Sequence, residues 1–324
     1  MVKNIKITTI GGGTGSSSIL KGIKYYTQSI SAIVTVADDG GSSGRLRKDF
    51  GILPPGDIRS CIYALSNAPV SLENALNYRF DKGDLKGHSL GNLILTAFTD
   101  MFNGFDKALS EMSSIFNITG KIYPMTLEDV KLYAILEDDS IIEGESNITF
   151  LSRLNDLKIK SVYLNPNKVS SPIGAKEAIL EADYILVGPG SLFTSIMPNF
   201  LVDDIKNAFK NSNAKKIYIS NIMTQPGETD NFNLRDHINA IDRHLGTTHS
   251  FDYIFVNNKK IPENLYYKYL YKNDSKQIFL SKEDIYFFND YDIKIIMGDF
   301  LDESQEYVRH DGKKIVKKIL GENI

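Results

Sequence analysis

The amino-acid sequence predicts an α/β protein in which helices cover both faces of a mostly parallel β-sheet, giving three layers. Strand-like and helix-like segments alternate over most of the 324 residues, a length that allows a large core. The segment 30–37 is apolar and mostly β-branched, which is typical of a strand covered on both faces. Two glycine-rich segments each follow a predicted strand and precede a predicted helix. We expect a single domain over residues 1–324.

The first half of the chain predicts the order strand, helix, strand, helix, helix. Isoleucines mark the first strand at residues 5–10, and the glycine-rich residues 11–15 follow it. The two later helices show apolar residues at helical spacing, namely Ile58, Cys61, Ile62 and Leu65 in one and Leu90, Leu93, Ile94, Ala97 and Phe98 in the other. This half therefore predicts a βαβ unit followed by helices.

The middle of the chain predicts a small β-rich insertion at about residues 121–165. It contains an expected hairpin, 131–142, and an expected strand, 161–164. Alternation then resumes, with strands expected at 184–187, 217–220 and 253–256 and helices at 205–209 and 234–245. The C-terminal portion, 259–324, is rich in tyrosine, phenylalanine and lysine, and it predicts only a final helix around residues 315–320.

Composition narrows the functional classes. The net charge of −3 at pH 7 argues against a broad nucleic-acid interface, which needs a basic surface. A single cysteine, Cys61, excludes an internal disulfide and fits a reducing compartment. The apolar runs are far shorter than the roughly 20 residues of a membrane-spanning helix, and the early glycines leave no room for a signal peptide. We expect a cytoplasmic protein without nucleic-acid partners or membrane insertion.

The first glycine-rich turn, Gly11-Gly12-Gly13-Thr14-Gly15, predicts an anion site. Glycine lets the chain turn sharply and bring backbone N–H groups against a phosphate, and the following helix N-terminus adds partial positive charge. The turn lacks the Lys-Ser/Thr pair of a Walker A loop, and a serine occupies the third glycine position of a GxGxxG pattern. We predict that Gly12, Gly13, Thr14 and Gly15 contact a ligand.

Asp38 and Asp39 follow the second predicted strand and lie opposite the first glycine turn. A carboxylate at this point of a dinucleotide-binding fold binds ribose hydroxyls. Two adjacent carboxylates also suit Mg²⁺ binding or proton abstraction. The residues leave these alternatives open, and both aspartates are candidate ligand-binding residues.

The next candidates lie on two predicted helices. Arg59 is off the apolar stripe of its helix, so its planar guanidinium is free to bind a phosphate. His88 and Asn92 flank Ser89, the expected cap of the following helix, and are also off the apolar stripe. They therefore lie at the end of the helix where anions bind. A lone histidine is more often structural than catalytic, so His88 carries little weight by itself.

The second glycine-rich turn spans residues 187–195 and again lies between a strand and a helix start. Its candidate ligand contacts are Gly188, Gly190, Ser191, Thr194 and Ser195. Open α/β sheets bind ligands in a crevice at the carboxyl ends of their strands. Two such turns, one in each half of the chain, therefore predict one shared crevice.

Two asparagines follow later strands, Asn221 after one and Asn257 after another. A carboxamide carries both donor and acceptor atoms, which can pair with the edge of a nucleobase. We predict both as ligand-binding residues and assign no catalytic or metal-binding residue.

Long strings of the sequence resemble the gluconeogenesis factor family, YvcK, within the wider CofD-like superfamily. They run in order to about Gly246 and are GGGTG at Gly11, VTVADDGGSSGRLR from Val34, FGILPPGDIR from Phe50, KGHSLGNL from Lys86, GESNI from Gly144, GPGSLFTSIMPN from Gly188, NIMTQPGETD from Asn221 and DHINAIDRHLG from Asp236. The resemblance fades in the C-terminal portion. One departure is the serine run 16–18, where members carry more apolar residues.

The resemblance implies a Rossmann-like fold and a cytoplasmic, UDP-sugar-binding regulatory protein linked to cell shape, the cell wall and carbon metabolism, without an established reaction. The related CofD enzyme transfers a phospholactyl group from a nucleotide-activated donor with Mg²⁺, so an Mg²⁺-dependent transferase is the alternative. An NAD-dependent oxidoreductase is a second alternative, although the missing third glycine argues against it. A UDP-sugar or related phosphorylated nucleotide is thus the expected ligand. Mg²⁺, a homodimer and an unidentified protein partner stay open.

Overall fold

Residues 4–302 and 307–321 are described by the computed structural model of the chain. Its strands, in chain order, are β1 (Ile7–Gly11), β2 (Ile30–Val34), β3 (Lys121–Pro124), β4 (Lys131–Leu136), β5 (Ile141–Glu143), β6 (Ile159–Asn165), β7 (Tyr184–Val187), β8 (Lys215–Ile219), β9 (Tyr253–Asn257) and β10 (Lys294–Gly298). Within these ranges seven strands form one parallel sheet in the order β10-β9-β8-β7-β1-β2-β3. The expected mostly parallel α/β fold is confirmed.

Helices precede or follow most strands of this sheet. They are α1 (Gly13–Ile23), α2 (Gly41–Phe50), α3 (Gly56–Leu65), α4 (Val70–Asn77), α5 (Leu90–Met101), α6 (Phe105–Ile115), α7 (Glu145–Asn155), α8 (Ile173–Leu180), α9 (Met197–Phe200), α10 (Asp203–Asn211), α11 (Leu234–Leu245), α12 (Glu263–Asn273), α13 (Lys282–Asp290) and α14 (Gly312–Gly321). A π-helical turn, Leu192–Ile196, leads directly into α9. None of the helices in the described ranges is long and apolar enough to cross a bilayer.

The central strand β1 lies between β2 and β7, and all of its residues are buried. This burial on both faces explains the apolar, β-branched composition of the central strands. β2 ends at Val34 rather than at the expected residue 37, because its neighbour β1 ends at Gly11. The chain continues buried through Val36 and Ala37 without a strand partner there.

A second, antiparallel sheet of the order β5-β4-β6 is the expected β-rich insertion. It begins later than the predicted boundary at residue 121, because β3 pairs in parallel with β2 and so belongs to the large sheet. Helix α7 connects β5 to β6 and carries Glu145, Thr149 and Arg153 to the carboxyl edge of the large sheet.

The C-terminal portion is part of the same sheet, since β10 extends it beyond β9. The final helix α14 packs against α1 at two glycines, Gly22 and Gly312. A Cβ atom on either glycine would collide with the backbone of the other helix, so this close approach requires both. The contact brings the start of α14 beside the first glycine-rich turn.

Candidate functional site

A cleft of about 800 Å³ opens at the carboxyl edge of the large sheet. Both glycine-rich turns line it. The first does so through Gly12, Gly13 and Gly15, and the second through Pro189, Gly190, Ser191, Thr194 and Ser195. The two turns touch each other, because a Cβ on Gly15 would lie 2.5 Å from the carbonyl oxygen of Pro189. The parallel strands β1 and β7 are neighbours, so the turns that follow them meet at one edge.

The first turn differs from the expected open phosphate loop. Helix α1 begins at Gly13, and the backbone N–H of Gly13 donates to the carboxylate of Asp57. Asp57 is in the first turn of α3, where the sequence indicated only a helix start. A ligand anion at this helix end therefore meets a carboxylate that already occupies part of the site.

A carboxylate also occupies the second turn. Glu228 accepts a hydrogen bond from the backbone N–H of Phe193 at 3.0 Å. Its other oxygen accepts the Thr194 hydroxyl at 2.9 Å. Thr194 is buried and lines the cleft, but its donor hydrogen is used inside the protein. The prediction that Thr194 donates to a ligand phosphate is therefore not met by this geometry.

Two amide side chains hold the rest of the second turn. The Oδ1 atom of Asn221 accepts the backbone N–H of Gly190 at 3.0 Å, and its Nδ2 atom donates to the carbonyl of the same glycine at 2.8 Å. Gln225 donates through Nε2 to the Ser191 hydroxyl at 2.6 Å, which leaves the hydroxyl hydrogen of Ser191 to donate to a ligand. Asn221 thus shapes the cleft wall, with both its amide atoms bound to backbone.

The paired aspartates after β2 have different roles. Asp38 lines the cleft, and its Oδ1 atom accepts the backbone N–H of Gly40 at 2.8 Å. Asp39 accepts the backbone N–H of Ser146 at 3.0 Å, which ties it to the first turn of α7. Asp39 is not among the residues that line the cleft. Its carboxylate supports a helix N-terminus, as an acidic group there ordinarily does.

His88 and Asn92 act on Ser42, near the start of α2. The Nδ1 atom of His88 lies 3.0 Å from the Ser42 hydroxyl oxygen, and Asn92 donates through Nδ2 to the same oxygen at 3.2 Å. Asn92 and Ser42 line the cleft, whereas His88 lies behind them. The Oδ1 atom of Asn92 is buried without a partner in the described part of the chain. His88 therefore contacts the cleft residue Ser42 and does not line the cleft itself.

Four arginine side chains line the cleft: Arg59, Arg79, Arg153 and Arg309. Arg59 donates to Asn77 and, at 3.2 Å, to the Ser60 hydroxyl, while its buried Nε atom has no partner among the described residues. Burial, together with the nearby positive charge of Arg79, lowers the pKa of Arg59. An anion between these guanidinium groups would relieve their repulsion.

Among residues 4–302 and 307–321, four acidic side chains share the cleft with these arginines: Asp38, Asp57, Glu145 and Glu228. Burial raises the pKa of Asp57 to about 7, and the negative charge of Asp38 adds to this effect. Burial likewise raises the pKa of Glu145 well above its ordinary value, followed by repulsion from Asp38 and Asp57. Burial raises the pKa of Asp38 and Glu228 as well. A raised pKa extends to higher pH the range in which a carboxyl group carries a proton and can donate a hydrogen bond.

The acidic residues of the cleft are spread along it. Within residues 4–302 and 307–321 no three His, Cys, Asp or Glu side chains are placed to hold a metal ion. Asp38 and Asp39 each already accept a backbone N–H. Mg²⁺ ordinarily keeps several waters and is bound through one or two carboxylates together with substrate phosphates.

Some predicted site residues lie elsewhere. Asn257 is buried away from the cleft and uses both amide atoms on backbone, donating to Lys259 at 2.7 Å and accepting from Phe300 at 3.1 Å. It therefore joins the ends of β9 and β10 and has no free amide edge for a base.

The other predicted residues belong to the two glycine-rich turns. Gly188 begins the second turn, with φ of 78°, and does not line the cleft. Ser195 does line it. The Thr14 side chain lies outside the part of the chain that the structure describes.

Several cleft residues were not among the predicted ones. They are Asp57, Arg79, Glu145, Arg153, Gln225, Glu228 and Arg309. Four of them stand within the family-like strings FGILPPGDIR, GESNI and NIMTQPGETD, which were available signals for Asp57, Glu145, Gln225 and Glu228. The arginines carry no local signal, because an arginine on a surface helix or loop is ordinarily a solvated charge.

Known proteins resemble this chain in sequence over nearly its whole length. The family model described as 2-phospho-L-lactate transferase CofD matches residues 7–301. A putative gluconeogenesis factor of Clostridium acetobutylicum is 47% identical over 324 residues, covering 100% of this chain and 70% of that protein. The gluconeogenesis factor of Bacillus subtilis is 42% identical over 316 residues, covering 97% of each chain.

A solved structure agrees with the fold. The crystal structure of a UPF0052 family member from Bacillus halodurans is 41% identical, with a TM-score of 0.90, and the match covers 98% of this chain and 99% of that one. Since the family model and the relatives both extend over nearly the whole chain, the chain belongs to the CofD family, among its gluconeogenesis factor members.

Proposed function

We propose that the chain is a cytoplasmic regulatory protein that binds a UDP-sugar in the cleft at the carboxyl edge of its large sheet. The single observation that carries this proposal is the convergence of both glycine-rich turns and four arginines on one cleft of about 800 Å³. That volume is within the range of about 300–1,000 Å³ typical of small-molecule sites. The regulatory role, in cell shape, the cell wall and carbon metabolism, extends from the resemblance to the gluconeogenesis factor family.

The chemistry of the cleft suits a diphosphate joined to hydroxyl-rich groups. Arg59 and Arg79 repel each other unless an anion lies between them, and guanidinium groups bind phosphate in bidentate fashion. Carboxyl groups such as Asp38 and Glu145 accept hydrogen bonds from ribose or sugar hydroxyls. The Ser191 hydroxyl adds a donor beside the second turn. Positive and hydrogen-bonding groups are therefore distributed along the cleft as the two parts of a sugar nucleotide require.

The direct test is thermal melting with a panel of nucleotides. UDP-N-acetylglucosamine or UDP-glucose at about one hundred times its dissociation constant should stabilise the fold by roughly 2.7 kcal/mol. NAD at the same concentration should leave the melting temperature unchanged. A shift with NAD and none with any uridine nucleotide would favour the oxidoreductase instead.

A transferase is the second candidate, favoured by the family model described as a transferase. Asp57, with its pKa raised to about 7, suits proton transfer near neutral pH, and burial raises the pKa of Glu145 as well. Incubation of the protein with a nucleotide-activated donor, with and without Mg²⁺, followed by product analysis, distinguishes it. Intact donor in every mixture supports the regulatory reading, and released nucleotide supports the transferase.

A further inference from the structure

A second cavity, here called the side chamber, adjoins the main cleft and has a volume of about 590 Å³. It lies between α1, α3 and the start of α14, where Gly22 and Gly312 let the two outer helices approach closely. Arg59 and Arg309 line both cavities, so they form part of the wall between them. The side chamber contains neither of the glycine-rich turns and is not needed to explain the proposed UDP-sugar site.

The side chamber has an excess of positive charge. Among the described residues its lining includes five cationic side chains, Lys21, Lys24, Arg59, Arg309 and Lys313, and three acidic ones, Glu73, Asp302 and Asp311. Asp311 already serves α14, because its Oδ1 atom accepts the backbone N–H groups of Lys313 and Lys314 at 2.9 and 3.2 Å. Its charge is therefore partly used at the helix N-terminus. An anionic ligand would offset the remaining excess of positive charge.

Two lysines are held in place without a carboxylate partner. The Nζ atom of Lys21 lies 4.2 Å from the centre of the Tyr63 ring, and that of Lys313 lies 3.9 Å from the centre of the Tyr25 ring. Neither lysine forms an ion pair with a carboxylate in residues 4–302 and 307–321. A cation over an aromatic face keeps its charge available while its side chain is ordered.

Two further groups of the side chamber can donate to an oxyanion. The Tyr63 hydroxyl lines the chamber, whereas the Ser18 and Ser60 hydroxyls already donate to the carbonyls of Gly15 and Gly56, at 2.8 and 3.0 Å. The buried Nε atom of Arg59 has no partner among the described residues. Lysines, hydroxyls and an unsatisfied guanidinium donor are the groups that bind a phosphoryl group.

We propose that the side chamber is a second binding site, for a small phosphorylated anion that is separate from the ligand of the main cleft. The phosphoryl group lies between Lys21 and Lys313 and faces Arg59 and Arg309. A ligand there shares these arginines with the main cleft, so occupancy of one site affects binding at the other.

Calorimetric titration with inorganic phosphate as the probe tests the proposal. Wild-type protein saturated with UDP-N-acetylglucosamine should bind about one phosphate, and the double variant K21E/K313E should bind it at least about tenfold more weakly. Both lysines are exposed, so the variant should fold, and a melt without ligand checks this. The matched control K107E/K317E changes two exposed lysines outside both cavities by the same charge and should bind phosphate as wild type does.

Two results would overturn the proposal. Competition between phosphate and UDP-N-acetylglucosamine for a single site would mean that the side chamber is part of the site of the main ligand. Equal phosphate affinity in wild type and K21E/K313E would mean that neither lysine binds phosphate. Failure of the UDP-sugar to bind would refute the proposed function alone, because phosphate titrated into wild type and K21E/K313E without nucleotide still compares the side chamber directly.

Discussion

The side chain of Asn221 pairs with both backbone polar atoms of Gly190, accepting its N–H at 3.0 Å and donating to its carbonyl at 2.8 Å. This pairing joins the end of β8 to the turn that follows β7. Gly190 lies in the cleft wall, and a Cβ there would lie 3.4 Å from the Gly12 carbonyl of the first turn. Asn221 therefore helps to fix the position of the second turn relative to the first, together with Glu228 and Gln225.

Asn221→Asp should weaken UDP-N-acetylglucosamine binding by at least about tenfold, because a carboxylate oxygen replaces Nδ2 and repels the Gly190 carbonyl. Calorimetric titration measures the effect. Asn257→Asp is the matched control, since Asn257 also pairs both amide atoms with backbone but lies outside the cleft. It should lower the melting temperature and leave affinity unchanged. Similar affinities for both variants would remove the second turn from the site.

Ser191→Ala and Thr194→Val should have different effects, although both remove a hydroxyl from the second turn. Thr194 donates to the buried carboxylate of Glu228, so Thr194→Val should cost roughly 1.5–3 kcal/mol of unfolding free energy. Thr194→Ser keeps the donor and should restore stability. Ser191→Ala should leave stability within about 0.5 kcal/mol of wild type and lower UDP-sugar affinity about tenfold. Denaturant melts and calorimetry separate the two, and unchanged affinity in Ser191→Ala would contradict the prediction.

Arg59→Ala should weaken binding of uridine diphosphate by about tenfold or more and change binding of uridine much less, because the arginine meets phosphate. Arg59→Lys should recover only part of the loss, since a lysine lacks the planar fork. Arg47→Ala serves as the control, as Arg47 pairs with Asp129 outside the cleft. Equal losses for uridine and its diphosphate would give Arg59 a structural role only.

The ionisation of Asp57 should make the protein less stable as the pH rises from about 4 to 7. Its pKa is raised from an ordinary 3.8 to about 7, so the folded state binds a proton that the unfolded state has lost in this interval. Asp57→Asn cannot ionise, and its stability relative to wild type should increase by up to about 4 kcal/mol between pH 4 and 8. Denaturant melts across this range provide the measurement.

The control for this experiment is the exposed Asp81→Asn. Its stability relative to wild type should stay constant across the same pH range. Titrating groups on which Asp57 does not act, such as His310 with its lowered pKa, are present in all three proteins and cancel in the comparison. The pKa of Glu145, which repulsion from Asp57 helps to raise, changes with Asp57→Asn and contributes to its measured difference. A constant difference for Asp57→Asn would mean that Asp57 is ionised throughout and that another group offsets its charge.

Much of the fold could be predicted from the sequence. The apolar, β-branched run of β2 and the helical spacing of Ile58 and Leu65 report burial directly, because each is a local pattern with the period of its own element. The two glycine-rich turns were also predictable, since a chain that turns sharply from strand to helix needs glycine at defined positions. Parallel strands end at the same edge, so the shared cleft followed from the α/β class.

The partners of the cleft groups were decided by the tertiary structure. Asp57 accepts the N–H group of Gly13, which the sequence had assigned to a ligand, and Glu228 accepts the N–H group of Phe193, next to the predicted ligand contact Thr194. Asn221 and Asn257 follow their strands in the same way, yet only Asn221 lines the cleft. A helix N-terminus attracts any nearby anion, and whether this is a carboxylate of the protein or a ligand depends on packing between residues far apart in the chain. Local patterns therefore determined the elements and the turns, whereas long-range packing determined which polar groups remain for a ligand.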